Sequence, residues 1–145
     1  MYGAVGIVLI LLVELNFYFQ IEPFASLYFP FVWFGYILFV DALVLKIHKK
    51  SLLHDNPEKF VFLLLSSALF WWIFEALNVR AGNWAYEGSV VKMVFWMRKI
   101  FATISFATVL PAVFETAELL RDTRIFALLK LKKAHVIPHR LLYSM

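Results

Sequence analysis

Phe60-Val61-Phe62-Leu63-Leu64-Leu65-Ser66-Ser67-Ala68-Leu69-Phe70-Trp71-Trp72-Ile73-Phe74-Glu75-Ala76-Leu77-Asn78-Val79 runs for twenty residues with a single charge, Glu75. A helix of that length rises about 30 Å, the thickness of a bilayer's hydrocarbon core. The run is continuous rather than alternating, and a strand pattern would leave unpaired backbone in lipid, so the spacing predicts a transmembrane helix. Three other stretches have the same character: Ala4 to Ile21, Leu27 to Ile47 and Ile100 to Leu120. The expected fold is all-α, a four-helix transmembrane bundle with spans near 4–21, 27–47, 60–79 and 100–120.

Composition points the same way. Hydrophobic residues make up 63% of the 145, charged residues 17%, and mean hydropathy is +0.78. An ordinary soluble domain is about one-quarter charged, and a water-soluble fold of this size could not cover so much apolar side chain. The absence of cysteine excludes disulfides, thiolate metal sites and cysteine nucleophiles. The net charge of +4 comes from basic residues in loops and a tail beside apolar segments, which fits anionic lipid headgroups and not nucleic acid. Met1-Tyr2-Gly3-Ala4-Val5 has no Lys or Arg ahead of the apolar stretch and no cleavage pattern after it. It reads as the start of a first span and not as a signal peptide, with a start further upstream left open.

The breaks between spans carry turn chemistry: Gln20-Ile21-Glu22-Pro23, Asp55-Asn56-Pro57 and Arg80-Ala81-Gly82-Asn83. Gly88 to Lys99 mixes Val90, Val91, Val94, Phe95 and Met97 with Lys92, Arg98 and Lys99. It is expected as a short interfacial helix, or as an early start of the fourth span. The chain thus divides into a four-span membrane domain, 1–121, and an amphipathic basic tail, 122–145, whose short helix lies on the inner surface and ends at Pro138. Ten Lys and Arg fall in the 46–59 loop and from Arg121 onward, against four on the other side: Arg80, Lys92, Arg98 and Lys99. The positive-inside rule then puts both termini in the cytoplasm of a multi-pass protein of the cell membrane.

Each span carries an acid: Glu14, Asp41, Glu75 and Glu115. A charge in hydrocarbon costs about 2.5–3.5 kcal/mol on insertion scales, so each acid should face the bundle interior, protonated or partnered. Counting the helical rise puts Glu14 and Glu75 roughly 10 and 6 Å from the outer ends of their spans. Asp41 and Glu115 lie roughly 9 and 8 Å from the inner ends. The acids therefore form an outer and an inner pair. One pair could be a proton donor or ion site; alternatively the acids lock helices together, with Arg80 and Arg98 as outer partners and Lys46 and Arg121 as inner ones.

The densest cluster surrounds the exit of the third span. Trp71, Glu75 and Asn78 share a helical face, and Glu75, Asn78 and Arg80 are expected to meet below the outer surface under Trp84 and Tyr86, with Asn83 beside them. An acid among aromatic faces could protonate an alkene or hold a cationic intermediate. The same residues also read as an interfacial aromatic belt with Asn78 and Asn83 capping a helix end. In the second span, aromatics from Tyr28 to Tyr36 lie above Asp41, and Gly35 would admit a close neighbour. In the fourth, Pro111 releases the carbonyl of Ala107, with Ser105 and Thr108 near enough to satisfy it. No span contains a histidine, so a diiron bundle site lacks its Glu-x-x-His ligands. No metal or other cofactor is expected: His48 and His54 lie in a loop, and His135 and His139 flank Pro138.

The order of an acid-bearing aromatic span, then Gly82-Asn83-Trp84-Ala85-Tyr86, then Leu110-Pro111-Ala112-Val113-Phe114-Glu115 resembles the small membrane lycopene cyclase domains of carotenoid synthesis. These pair a W-x-Y-like element with a later proline–acid motif. The resemblance implies an acid that protonates a polyene end and aromatics that shelter the cation. Here Glu115 follows Pro111 by four residues, where the family sets its acids two and three after the proline.

Two functions follow from these readings. One is a membrane protein or enzyme that binds a lipid or isoprenoid, with Glu75 and Glu115 as acids and Asn78, Arg80, Asn83, Trp84, Tyr86, Trp71, Asp41 and Glu14 around the bound molecule. The other is a noncatalytic subunit or scaffold, packed against other membrane subunits or a second copy of itself, in which the acids bond helix to helix.

Overall fold

The computed structural model describes residues 2–22, 24–86 and 93–123. Among them every regular element is helical: α1 Tyr2–Tyr18, α2 Tyr28–His48, α3 Leu52–Asp55, α4 Pro57–Ala81, α5 Phe95–Ala107 and α6 Val109–Asp122. Three helical stretches are long and apolar enough to cross a membrane, namely α2, α4 and the α5–α6 unit over Phe95–Arg121. The apolar α1, with 17 residues, is shorter.

Backbone chemistry at the ends explains the boundaries. α1 closes before Ile21 because Gln20 turns left-handed (φ 52°). Its N–H then bonds the Phe17 carbonyl, and the N–H of Ile21 bonds that of Asn16, the paired closure that satisfies a helix's last carbonyls. Pro57 starts α4 in the first turn, where its missing N–H costs nothing. Gly82 ends α4 with φ 62° and its N–H on the Asn78 carbonyl.

α1 packs almost wholly on α2, and the contact is backbone to backbone. A β-carbon on Gly3 would stand 2.6 Å from that of Ala42, and one on Gly35 2.8 Å from Ile10. Gly35 thus admits a neighbouring helix, as its position in the sequence suggested. The second packing unit sets α4 against α5 and α6, and α2 joins the two through α6. A small core of Ile37, Phe60 and Ala112 lies where they meet. Much of α4 faces outward with apolar side chains, Phe62, Leu65, Leu69 and Leu77 each more than half exposed. A continuous apolar face of this kind is compatible with burial in a membrane.

Phe95 to Lys99, expected as part of an interfacial helix or as an early start of the fourth span, form the first turns of α5 and so continue into the fourth apolar segment. Gly88 to Lys92 and the basic tail beyond Thr123, with His135 and His139, lie outside the described residues.

The break at Thr108 between α5 and α6 falls just before Pro111, where a kink is expected, but the hydroxyls near it act differently from the expectation. Ser105 bonds the carbonyl of Phe101, and Thr108 bonds that of Ser105, so neither hydroxyl reaches the carbonyl of Ala107. Instead Ser67 of α4 enters the helix. Its hydroxyl donates to the Phe106 carbonyl and accepts the N–H of Leu110 at 3.0 Å. Phe106 and Leu110 are four apart, the spacing of a helical hydrogen bond, and the hydroxyl stands in place of that bond. A side chain inserted into the ladder next to a proline is a sufficient cause for a bend.

Candidate functional site

The four acids occupy three different environments. Glu14, on α1, accepts the hydroxyl of Tyr28 at 2.6 Å, and the ring of Tyr28 packs on Phe17. This contact joins the far end of α1 to the start of α2. It does not bring Glu14 to Glu75, because α1 lies on α2 whereas α4 lies on α5 and α6.

Glu75 and the segment after α4 form a closed cluster. One Glu75 oxygen accepts both the indole N–H of Trp84, at 3.1 Å, and the hydroxyl of Tyr86. Asn78 holds the backbone that makes this possible. Its carbonyl accepts the N–H of Asn83 and of Trp84, and its amide donates to the Trp84 carbonyl at 2.8 Å. The left-handed Gly82 turns the chain back so that Trp84 and Tyr86 reach a carboxylate on the helix just left. Burial, then the bond to Glu75 and its negative charge, push the Tyr86 hydroxyl up to about 12. Glu75, Asn78, Asn83, Trp84 and Tyr86 are thus brought together as the sequence suggested.

Arg80 and Trp71 are not part of that set. Arg80 is exposed and is not a partner of Glu75 or Asn78. Trp71 turns away to pack on Phe74 and Phe106. Trp72, offset on the wheel, bonds Thr103 through its indole N–H and carries the Lys99 ammonium 4.6 Å from its ring.

The third environment is the interior. Asp41 and Glu115 are both fully buried, at 0% exposure. Asp41 accepts three hydrogen bonds: from the Tyr2 hydroxyl, from the Ser51 hydroxyl at 2.9 Å and from the backbone N–H of Leu53 at 2.9 Å. They come from α1 and from the chain entering α3, which folds back along α2 to reach it. Glu115, on α6, faces Asp41, yet neither of its oxygens has a hydrogen-bond partner among the described residues. The expected ion pairs to Arg80, Arg98, Lys46 and Arg121 are not what holds these acids. The ion pairs seen among the described residues join Arg121 to Glu118 and His54 to Asp55.

Between α2 and α6 runs an open groove of about 710 Å³, walled by Phe29, Trp33 and Tyr36 on one side and Val113, Ala117 and Leu120 on the other. Its polar features are a bond between the Tyr36 and Thr116 hydroxyls, 2.7 Å apart, and the Tyr28 hydroxyl, which bonds Glu14. Tyr2, Ser51 and Ser67 act in these contacts without having stood out in the sequence. Ser67 had one available signal, a hydroxyl in the middle of an apolar helix. Comparison with known protein families, with curated proteins and with solved structures finds no match for this chain.

Proposed function

We propose that this chain is a multi-pass integral protein of the cell membrane that holds a lipid or isoprenoid chain in the groove between α2 and α6. In this reading α1 completes a four-helix bundle with the three longer spans, and the excess of Lys and Arg in the 46–59 loop and the tail keeps both termini in the cytoplasm. The groove is the observation that carries the proposal. Its volume suits a small hydrophobic molecule, aromatic and aliphatic side chains line it, and its hydroxyls are already bonded, Tyr36 and Thr116 to each other and Tyr28 to Glu14. A polar ligand would gain little there, whereas a hydrocarbon or polyene chain would cover the aromatic wall. The resemblance to lycopene cyclases adds an acid, Glu75 or Glu115, acting on such a molecule, although neither acid lines the groove itself.

The test is purification in mild detergent followed by absorbance and mass spectrometry of what the protein retains. The wild-type protein is expected to retain a lipid or pigment, and Ala117→Trp, which fills the groove, to lose it. Retention that is unchanged in Ala117→Trp sinks the proposal.

A second reading is a noncatalytic subunit of a larger membrane assembly, in which the acids serve as fasteners. It draws support from Glu14, Asp41 and Glu75, each held by tyrosine, tryptophan or serine donors. A Glu75→Gln protein that folds and retains ligand, but no longer co-purifies with another membrane subunit, would favour it.

A further inference from the structure

Asp41 and Glu115 differ in one respect that their burial makes consequential. Both are inaccessible to water, so each must find its hydrogen bonds within the protein. Asp41 is surrounded by donors: Tyr2 and Ser51 on one oxygen, the N–H of Leu53 on the other. That is the environment of an ionised carboxylate, which only accepts. Glu115 has no donor on either oxygen.

An ionised Glu115 would be a second buried anion beside the first, with none of its lone pairs satisfied. The charged groups that bear on it make this worse, since Asp41 on α2 and Glu118 one turn further along α6 are both acids. From α1 the titratable neighbour is Tyr2, which bonds Asp41. From the α3 segment it is Asp55, which accepts the N–H of Ser51 and sits beside His54. A protonated Glu115 resolves the problem, because its O–H is a donor and the facing carboxylate is an acceptor. The shared proton satisfies Glu115 and adds a fourth bond to Asp41.

We propose that Asp41 and Glu115 form one proton-binding site, in which Glu115 carries a single exchangeable proton and donates it to ionised Asp41. Tyr2 gives the site its connection to the outside. Its side chain is half-buried and its hydroxyl lies on the Asp41 oxygen that Ser51 also bonds. A chain of exchangeable protons therefore leads from Glu115 through Asp41 to the protein surface. Occupancy also has a mechanical meaning. With the proton present, α6 is bonded to the α1–α2 hairpin; without it, two like charges face each other in a low-dielectric interior and drive α6 and α2 apart.

Infrared spectroscopy of the purified full-length protein in detergent tests it. A protonated carboxyl in a dry setting gives a carbonyl stretch well separated from the carboxylate bands. The wild-type spectrum is expected to show such a band, to lose it in Glu115→Gln, and to shift it on transfer into heavy water. The glutamine amide can donate to Asp41 as the protonated acid does, so that variant is expected to fold. Asp41→Asn is the second variant, and there the band should persist at a changed frequency because its acceptor has changed. A wild-type protein without the band, or a band that survives Glu115→Gln, overturns the proposal. A Glu115 band that heavy water does not shift overturns the exchange and leaves a locked structural proton.

Discussion

A β-carbon placed on Gly6 would lie 2.5 Å from the carbonyl oxygen of Gly35, closer than such atoms approach in proteins. The two helices therefore touch at bare backbone, and the nearest backbone atoms on α2 cannot give way as a flexible side chain could. Gly6→Ala is expected to destabilise the protein by about 1–3 kcal/mol, the usual cost of overpacking, and Gly6→Leu to separate α1 from α2. Unfolding of the protein in mixed detergent micelles would measure the first. Loss of the Glu14–Tyr28 contact, read as faster proteolysis near Ile21, would report the second.

Ser67 should behave as part of a helix to which it does not belong. Ser67→Ala removes a donor from Phe106 and an acceptor from Leu110 at once, and a loss of about 1–2 kcal/mol is expected within a membrane bundle. Replacing Pro111 by Ala in the same protein restores the missing N–H and lets α5 and α6 join as one regular helix. The double variant is therefore expected to lose less than the sum of the two single losses, a coupling that a double-mutant cycle reads directly.

The bonds at Asp41 predict a marked difference between two substitutions. Asp41→Ala leaves the hydroxyls of Tyr2 and Ser51 and the N–H of Leu53 without an acceptor and is expected to cost about 3 kcal/mol or more. Asp41→Asn keeps one acceptor oxygen and should cost clearly less. Equal losses, measured by the same unfolding assay, would mean that these bonds do not hold the loop.

At the other end of the protein, Tyr86 provides a spectroscopic handle on the Glu75 cluster. Its hydroxyl titrates at about 12 rather than at the ordinary 10.0. Because the folded value is the higher one, the stabilisation is fully present below pH 10 and disappears as pH rises through about 12. The tyrosinate absorbance lost in Tyr86→Phe should therefore be a part that appears late in an alkaline titration, above the ordinary tyrosine range. In Glu75→Gln, which removes the negative charge, that part should move to lower pH.

Much of the architecture was legible in the residue order, since uninterrupted apolar stretches specify helices almost regardless of context. Helix ends were less so: α1 stops at Tyr18 because Gln20 adopts a left-handed turn, and glutamine gives little warning of that. Counting the helical rise placed Asp41 and Glu115 at one depth, and they do face each other. The same count placed Glu14 beside Glu75, which have separate partners, because depth says nothing about which helices are lateral neighbours. Glu75 and Trp84 were legible as a cluster since only a short turn separates them. Tyr2 and Ser51 were not, because their bonds to Asp41 depend on the register of α1 against α2 and on a loop that doubles back.

That doubling back has a consequence for the order in which the molecule is made. The three donors to Asp41 all lie between residues 2 and 53, so all three can reach its carboxylate before α4 leaves the ribosome. Synthesis proceeds from the amino terminus, and early units can settle first. Glu115 arrives last, at a hairpin already assembled, and must bring its own hydrogen to dock.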